Sequence, residues 1–379
     1  MKKIALFTSN RSEFSACYSL IKEINKKNNL EYFLFVGGTH LVEEYGKTIT
    51  EINDSKLIIS DYFDYVSSSS SNTDIAKSVA KCTLELSKIF NKYTFDFVFL
   101  IGDRLELLSI AQVALVYNKA MIHVSGGEIT MGAIDDQIRN MLSKCSHLHF
   151  VSCEEYANNL KKMGEQTSRI HNVGELTIDS IVECEKISKT KLFNELSLNE
   201  KLDTVLLTFH PVTKEIKIPN KNKIKNIMSV LNEFNYQVLI TAPTHDSGRD
   251  EIMNEISNFI KTNNNFYFIE SLGFNRYYNL ITHCKFIIGN SSSGISEVPF
   301  FKIPTINIGD RQKGRIRHSS VIDSGFSKKS IRESVIMCNE SIFIKNLTKS
   351  KFKFGDGNAA KKIIDVISQT EINSNLLIK

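Results

Sequence analysis

The chain has 379 residues, of which 42% are hydrophobic and 23% charged, and its formal net charge is +5. This length suits two domains, and the composition is typical of a globular protein. Because the charge is mild and lysine and glutamate are scattered along the chain, the sequence predicts no nucleic-acid partner; a positive site for a small anion stays open.

Cysteine usage and the start of the chain bear on its location. Seven cysteines without a Cys-x-x-Cys pair predict reduced thiols and a cytoplasmic protein. The apolar run that begins at Ile4 is only about four residues long, too short for a signal peptide or a membrane span. We therefore expect the first strand of a parallel sheet here, and no membrane partner.

Strand and helix signals alternate through the first half of the chain, which predicts an α/β domain with a parallel sheet. Asp135–Cys145 is expected to be a helix, and the serine run 67–71 a solvated loop. The predicted strands are Ile4–Phe7, Tyr32–Val36, Phe95–Ile101, Met121–Val124 and Leu148–Ser152.

A similar alternation follows a polar helical segment that begins after Gly174 and is typical of an interdomain connection. The fold is therefore predicted to be α/β, with two Rossmann-like domains facing across a cleft. We expect domains at residues 1–174 and 175–358, and a C-terminal helix and tail (359–379) that pack back on the first. The second series of predicted strands is Thr204–Thr208, Gln237–Thr241, Phe266–Ile269, Phe286–Ile288 and Thr305–Ile308.

Polar side chains follow the predicted strands of the first half at the points where these strands end. Ligands of open parallel sheets bind beyond the carboxyl ends of the strands. We therefore expect a binding site at this edge. The side chains in this position belong to Arg11, His40, Asp103, Arg104 and Glu128.

Carboxylates bracket one face of the first half, and Asp135 and Asp136 open a predicted helix that also carries Arg139. Residues four apart on a helix are neighbours, so Asp135 can pair with Arg139. A surface ion pair with a helix cap explains this group without any function. Carboxylates in differing environments can also serve as acid and base, which makes Asp103, Glu128 and Asp135 candidates.

Histidines give a mixed signal. His40 and His210 each follow a strand, where a histidine is expected to face a cleft rather than the core. His123 lies within a strand and is expected to be a hydrogen-bonded core residue. The closest histidine pair, His147 and His149, has no third ligand nearby, so the sequence predicts no metal site.

The stretch from Phe286 to Glu297 is predicted to be a buried strand, a tight polar turn and a helix that starts near Ser291 or Ser292. Serines at such a start can cap free N–H groups, and the helix dipole favours an oxyanion there. An ordinary capped turn is the alternative. The basic stretch that contains Arg311, Arg315 and Arg317 is either a solvated loop or a phosphate site.

Together these residues resemble the hydrolysing UDP-N-acetylglucosamine 2-epimerase family, from Met1 to about Ile367. The order of the motifs makes the resemblance specific. The motifs are Asn10-Arg11-Ser-Glu-Phe14, Gly38-Thr-His40, Gly102-Asp-Arg104, Gly126-Gly-Glu128, Ile134-Asp-Asp-Gln-Ile-Arg139, Phe209-His-Pro-Val-Thr213, Gly289-Asn-Ser-Ser-Ser-Gly294 with Glu297, Ile308-Gly-Asp-Arg-Gln-Lys-Gly-Arg315 and Gly355-Asp-Gly-Asn-Ala359.

The resemblance implies a GT-B-like fold without a cofactor, and an elimination through a 2-acetamidoglucal followed by hydration. UDP-N-acetylglucosamine would give free N-acetylmannosamine and UDP, for sialic-acid-type synthesis. A homodimer or homotetramer is expected. The roles it implies are acid and base for Asp103 and Asp135, orientation of Asp135 by Arg139, phosphate contacts for His210, Ser291, Ser292, Arg11 and Arg311, ribose binding for Glu297, and a place near the sugar for His40.

Two residues depart from the family pattern. Many relatives carry a glutamate where this chain has Ser125, and a histidine where it has Asn140. Serine is no general base at neutral pH, so Glu128 or another carboxylate would take that role. The alternatives left open are the same reaction on UDP- or GDP-2,4-diacetamido-2,4,6-trideoxyglucose, a non-hydrolysing 2-epimerase, a GT-B glycosyltransferase, and a catalytically silent nucleotide-sugar-binding protein.

Overall fold

The structure is a computed structural model that describes residues 1–43, 48–66, 71–212, 218–244 and 246–379, with the backbone alone for residues 11 and 12. The chain packs into two compact units. Unit 1 contains residues 1–128, 135–183 and 354–379, and unit 2 contains residues 129–134 and 184–353. The short segment 129–134 therefore packs with unit 2, although the residues on both sides of it belong to unit 1.

In the described part of unit 1, seven parallel strands form one sheet in the order β3-β2-β1-β4-β5-β6-β7. The order reverses between β1 and β4, so the ends of these two strands form the topological switch point of the sheet. The strands are β1 (Lys2–Thr8), β2 (Leu30–Gly37), β3 (Ile59–Phe63), β4 (Phe97–Ile101), β5 (Ala120–Val124), β6 (Leu148–Val151) and β7 (Ile170–Asn172).

Helices cover this sheet, and every residue of its inner strands β4 and β5 is buried, as in other parallel sheets covered on both faces. Phenylalanines fill much of the core: the stacked rings of Phe7 and Phe35 have centroids 4.9 Å apart. The helices are α1 (Arg11–Ile24), α2 (Ile49–Asp54), α3 (Asn72–Lys92), α4 (Glu106–Val116), α5 (Asp135–Cys145), α6 (Glu154–Lys162), α7 (Leu176–Glu183), α15 (Ala359–Gln369) and α16 (Ser374–Leu377).

Unit 2 repeats the same strand order with a six-stranded parallel sheet, β10-β9-β8-β11-β12-β13, whose switch point lies between β8 and β11. Its strands are β8 (Thr204–Thr208), β9 (Gln237–Thr241), β10 (Phe266–Ile269), β11 (Cys284–Gly289), β12 (Thr305–Ile308) and β13 (Val321–Ser324). Its helices are α8 (Lys189–Glu195), α9 (Asn220–Leu231), α10 (Arg249–Ile260), α11 (Gly273–Ile281), α12 (Ser293–Ser296), α13 (Lys328–Cys338) and α14 (Ser341–Lys349).

The prediction of two Rossmann-like α/β domains is confirmed by the two sheets. The predicted helix Asp135–Cys145 is also confirmed, and the predicted strands agree to within a few residues. Three strands escaped prediction, namely β3, β7 and β13. Each lies at a sheet edge and mixes polar with apolar residues, which weakens the strand signal.

Domain limits differ from those expected. The first unit extends to Glu183 rather than to residue 174, because α7 packs with α1 and α15. Asp179 of α7 accepts hydrogen bonds from the backbone N–H groups of Ala359 and Ala360, at 2.9 and 2.6 Å, and so caps α15. Residues 354–379 accordingly belong to unit 1. The predicted loop at residues 67–71 lies outside the described residues except for Ser71.

Two searches of the described residues were negative. None of the helices there is both long and apolar enough to cross a bilayer. Over the same ranges, no three side chains of histidine, cysteine, aspartate or glutamate are grouped so that they could hold a metal ion.

Candidate active site

A buried arginine organises the carboxylates of unit 1. Arg139 of α5 is fully buried, and its Nη2 pairs with Oδ2 of Asp103, the second residue after β4. Its Nη1 donates to the Glu128 carbonyl at 3.0 Å and lies 3.6 Å from Asp136 Oδ1. A buried guanidinium needs such partners, so it ties the ends of two strands to the start of α5.

The structure therefore brings the predicted residues Asp103, Glu128 and Arg139 together. The predicted pairing of Asp135 with Arg139 stays a prediction. Asp135 opens α5, so it lies one turn before Arg139 on the same helix. Asp103 retains 19% side-chain exposure, which leaves its carboxylate reachable by a substrate.

His123 holds the turn that carries Asp103. Its ring is fully buried, with Nε2 2.9 Å from the Gly102 carbonyl and Nδ1 2.9 Å from Ser143 Oγ. Since a carbonyl only accepts, Nε2 carries the hydrogen. Burial lowers the pKa of His123 to about 3, so the ring is neutral. The predicted core role is confirmed, and sequence reasoning missed the bond to Gly102.

The loop after β5 is tightly constrained. Ser125 has a φ of +68°, in the left-handed region that is unusual for a residue other than glycine. A Cβ on Gly127 would lie 2.3 Å from the Tyr156 carbonyl oxygen, so only glycine fits there. This geometry fixes the path of the chain into Glu128, which is only 4% exposed.

His40 does not face a cleft, contrary to the expectation from sequence. It is fully buried, and its ring nitrogens Nε2 and Nδ1 contact the hydroxyls of Thr8 and Thr48 at 2.8 and 2.6 Å. Burial lowers the pKa of His40 to about 3. A bond from its ring to a sugar would require one threonine contact to break, and its predicted place near the sugar stays a prediction.

The β1–α1 turn holds a second acidic group that the sequence did not single out. Ser9 Oγ lies 2.7 Å from Glu13 Oε2 and 2.5 Å from Glu106 Oε1. Arg104 Nε is 3.9 Å from the same Glu106 oxygen. Both glutamates occur beside predicted site residues in the sequence, and that adjacency was the available signal. The side chain of Arg11 lies outside the described residues.

The switch point of unit 2 is built around an amide. Asn290, directly after β11, accepts from the His210 N–H at 2.7 Å and donates to the His210 carbonyl at 2.9 Å. The Asn290 carbonyl accepts from Arg311 Nη1 at 3.3 Å and from Gln312 Nε2 at 3.0 Å. One residue therefore joins the ends of β8, β11 and β12.

His210 is held in a defined tautomer. The Thr244 N–H donates to His210 Nδ1 at 3.1 Å, so the neutral ring carries its hydrogen on Nε2. That hydrogen can be donated to an anionic oxygen. His210 is largely buried, with 9% exposure, and its predicted cleft position stays a prediction.

The turn that follows Asn290 differs from its prediction. Helix α12 is only four residues long, and its N-cap Ser292 makes no side-chain capping bond, so the expected serine cap is wrong. The hydroxyl used is that of Ser293, which donates to Glu297 Oε2 at 2.9 Å and contacts Tyr277 Oη at 2.7 Å. Tyr277 therefore fixes Ser293, which fixes Glu297.

Of the three predicted arginines, Arg311 is 7% exposed and bound to the switch point. Arg317 instead pairs with Asp323 at 3.1 Å, a partly exposed contact typical of a surface ion pair. The segment 129–134 packs here as well, since the Met131 N–H donates to the Lys313 carbonyl at 2.8 Å. A Cβ on Gly132 would lie 2.0 Å from the Asp310 carbonyl oxygen, which explains glycine at this position.

Two parallel sheets with these loops at their switch points define an α/β protein with two Rossmann-like domains. The sequence profile of the UDP-N-acetylglucosamine 2-epimerase family matches residues 22–368. The chain belongs to this family, as the motifs predict.

Comparison with individual proteins agrees. The chain is 36% identical over 325 residues to the GDP/UDP-N,N'-diacetylbacillosamine 2-epimerase (hydrolyzing) of Campylobacter jejuni, covering 85% of this chain and 84% of that protein. It is 31% identical to the polysialic acid biosynthesis protein P7 of Escherichia coli, covering 97% and 94%. The UDP-GlcNAc 2-epimerase of Neisseria meningitidis, solved with UDP-GlcNAc, has the same fold, with a TM-score of 0.83 at 17% identity over 98% and 100% of the chains.

Proposed function

We propose that this protein is a hydrolysing 2-epimerase that acts on a nucleotide-linked 2,4-diacetamido-2,4,6-trideoxyglucose and releases the free sugar with inverted C2. The reaction class is supported by the family and by relatives from Campylobacter jejuni and Legionella pneumophila, 36% and 28% identical, both named as hydrolysing diacetylbacillosamine 2-epimerases. The names of these relatives favour this sugar over N-acetylglucosamine, although the sequence alone slightly favoured N-acetylglucosamine.

The observation that carries the proposal is the buried Arg139 with Asp103 at the end of β4. Elimination requires a base for the weakly acidic C2 proton. As that proton leaves, the C–H electrons form the C1=C2 bond and the C1–O electrons leave with the nucleoside diphosphate. Water then adds its oxygen to C1, and C2 receives a proton on the opposite face. An ion-paired carboxylate suits such steps.

Within this proposal Asp103, Glu128 and Asp135 are the candidates for the acid and the base, and Arg139 positions them. With Ser125 where many relatives carry glutamate, Glu128 takes the role of the missing carboxylate. Arg139 binds its backbone carbonyl, so the position of Glu128 depends on the same guanidinium as that of Asp103.

Unit 2 holds the leaving group in this proposal. His210 Nε2 and the guanidinium of Arg311 donate to the diphosphate, as their tautomer and position at the switch point allow. Glu297, fixed by Ser293, binds the ribose hydroxyls. The remaining predicted contacts are those of Arg11, Arg104, Ser291 and Ser292. A homodimer or homotetramer also stays a prediction.

A second candidate is UDP-N-acetylglucosamine, which would place the enzyme in sialic-acid-type synthesis. It is favoured by the P7 protein and by the UDP-N-acetylglucosamine 2-epimerase of Neisseria meningitidis, 29% identical over 337 residues.

Proton NMR in D₂O separates these readings when the protein is incubated with the UDP- and GDP-linked forms of both sugars. We expect free sugar deuterated at C2, with released nucleoside diphosphate, from the diacetamido substrate. Turnover of the N-acetylglucosamine nucleotide alone overturns the sugar assignment. A product still linked to the nucleotide indicates a non-hydrolysing enzyme, and UDP binding without turnover indicates a silent binding protein.

A further inference from the structure

The switch point of unit 1 contains a carboxyl pair with no part in the proposed chemistry. Glu13 of α1 and Glu106 at the start of α4 are 5% and 8% exposed, and both reach the Ser9 hydroxyl. Two buried carboxylates this close repel each other and are costly to keep ionised together. The number of protons on this pair therefore affects the stability of the switch point.

The number of hydrogens available at Ser9 indicates how many protons the pair holds. Ser9 Oγ is 2.7 Å from Glu13 Oε2 and 2.5 Å from Glu106 Oε1, and a hydroxyl has one hydrogen to donate. The second contact is a hydrogen bond only if a carboxyl supplies the hydrogen.

We propose that Glu13 and Glu106 hold one proton between them through Ser9, and that this pair is a positioning unit that ties the β1–α1 turn to the Asp103–Arg104 turn. The hydrogen bonds run from the Glu13 carboxyl to Ser9 and from the Ser9 hydroxyl to Glu106. Glu106 takes the negative charge because Arg104 lies beside it. The positioning role rests on the proposed function, whereas the proton count does not.

The surroundings of Glu13 favour the neutral form. Its Oε1 is buried and makes no hydrogen bond to any residue that the structure describes, which is costly for a carboxylate. Burial first, and the charge of Glu106 second, raise the pKa of Glu13 to about 8.

The other titratable groups that face the pair supply little charge. Arg104 is the one described cation among them. The Tyr65 phenol lies near Ser9, beside Gly38, and burial raises its pKa, so it keeps its hydrogen. The thiols of Cys17 and Cys82 are likewise kept neutral by burial, which raises their pKa, and His40 on the neighbouring turn is neutral because burial lowers its pKa to about 3.

The pair occupies a position where it affects the proposed active site. The Ser9 N–H donates to Glu13 Oε2 at 2.7 Å, and the Ser9 carbonyl accepts from the Thr39 N–H at 2.9 Å, so Ser9 orders this turn. Glu106 lies three residues after Asp103. Loss of the shared proton would place a second negative charge between the two turns and separate them.

Glutamine substitutions test the proton count because the two positions require different hydrogen-bond donors and acceptors. Glu106→Gln places an amide N–H against Ser9, which can then donate to an ionised Glu13, so every contact is made. Glu13→Gln cannot make every contact, because the atom that replaces Glu13 Oε2 would have to accept from the Ser9 N–H and also donate to Ser9 Oγ. An amide oxygen only accepts, and an amide nitrogen only donates.

The measurement is the thermal unfolding midpoint of the 379-residue chain at about pH 5.5 and about pH 9, for wild type and both variants. An acid whose pKa is raised on folding costs stability as pH rises from its unfolded pKa to its folded one. We therefore expect Glu106→Gln to gain roughly 3 °C on wild type between these pH values. Glu13→Gln should be less stable than wild type at the lower pH.

Other outcomes of this comparison overturn the proton count. If both glutamine variants behave alike, simple charge repulsion explains the pair. If the difference between Glu106→Gln and wild type does not change with pH, no shared proton exists. Glu85→Gln, which breaks the exposed pair with Lys88, is the matched control and should follow wild type at both pH values.

Kinetics test the positioning role. The ratio of kcat/KM at about pH 9 to that at about pH 7 should be at least roughly three-fold higher in Glu106→Gln than in wild type. An unchanged ratio beside the expected stability shift overturns the positioning role and leaves the proton count intact. If no nucleotide sugar is turned over at all, the proposed function fails, and the unfolding data still decide the proton count.

Discussion

The switch points of the two sheets share one strand order and differ in chemistry. In unit 1 the ends of β1 and β4 carry the carboxyls of Glu13, Asp103 and Glu106. In unit 2 the ends of β8 and β11 carry the imidazole of His210 and the amide of Asn290. Under the proposed function, the same backbone scaffold therefore serves proton exchange in one unit and supplies donors for an anion in the other.

This difference is built by buried hydrogen bonds. In unit 1 the guanidinium of Arg139 satisfies acidic side chains and the Glu128 carbonyl. In unit 2 Asn290 satisfies backbone groups, and the Thr244 N–H keeps the hydrogen of His210 on Nε2. A substitution at the switch point of unit 1 should therefore lower kcat and leave UDP affinity unchanged. A substitution at the switch point of unit 2 should weaken UDP binding instead.

The largest expected effect is that of Asp103→Asn. Removing the charge next to the buried Arg139 should lower kcat by about 1,000-fold, because general acid–base catalysis contributes roughly 10² to 10⁴. The readout is the appearance of C2-deuterated free sugar by NMR. Asp61→Asn, which breaks the exposed pair with Lys92, is the control. Near wild-type turnover in Asp103→Asn would remove this residue from the acid–base set.

Asn290→Asp tests unit 2. The carboxylate cannot donate to the His210 carbonyl, and it adds a negative charge where the diphosphate is expected to bind. We expect the Kd for UDP to rise roughly 30-fold, as loss of a buried donor predicts. Asn265→Asp alters an amide that binds the Tyr236 carbonyl in the same unit, and it should change UDP affinity little. Unchanged affinity in Asn290→Asp would contradict this role.

His123 provides a test by pH. Its folded pKa of about 3 lies below the ordinary value of 6.5, so its contribution is complete above 6.5 and is lost as pH falls toward 3. Between pH 7 and pH 5 we expect a loss of about 2 kcal/mol in unfolding free energy from this residue. Denaturant titrations should show a shallower pH slope in His123→Gln, and an equal slope would contradict the neutral assignment.

Tyr277→Phe should have the smallest effect. It removes the hydrogen bond to Ser293 Oγ and leaves the bond from Ser293 to Glu297 in place. The expected cost is about 1 kcal/mol, or roughly five-fold in UDP affinity. Tyr267→Phe in the same unit is the matched control. If both variants bind UDP equally well, Tyr277 has no part in fixing Glu297.

Much of this architecture could be predicted because strong apolar runs mark the inner strands. Strand ends then placed Asp103, Glu128 and His210 at the correct edge of each sheet. The edge strands β3, β7 and β13 carry weaker signals and escaped. The prediction for His40 was wrong because its place after a strand does not reveal a hydrogen-bond partner. In the structure the Thr48 hydroxyl contacts one of its ring nitrogens.

The hydrogen-bond partners of buried side chains could not be predicted from the sequence. Glu13 and Glu106 lie 93 positions apart, and only the switch point brings both to Ser9. The expected cap at Ser292 failed for a similar reason, because Tyr277 and Glu297 engage Ser293 instead. Motifs indicate which residues are candidates for the chemistry, and tertiary contacts decide which hydrogen bonds each one makes.

Titration of UDP into Asp103→Asn by calorimetry tests the central claim most directly. If unit 1 carries the proton chemistry and unit 2 the nucleotide, this variant should bind UDP with a Kd within about two-fold of wild type while its kcat falls by about 1,000-fold. Loss of UDP binding in Asp103→Asn, or a kcat near that of wild type, would contradict the division of labour between the two switch points.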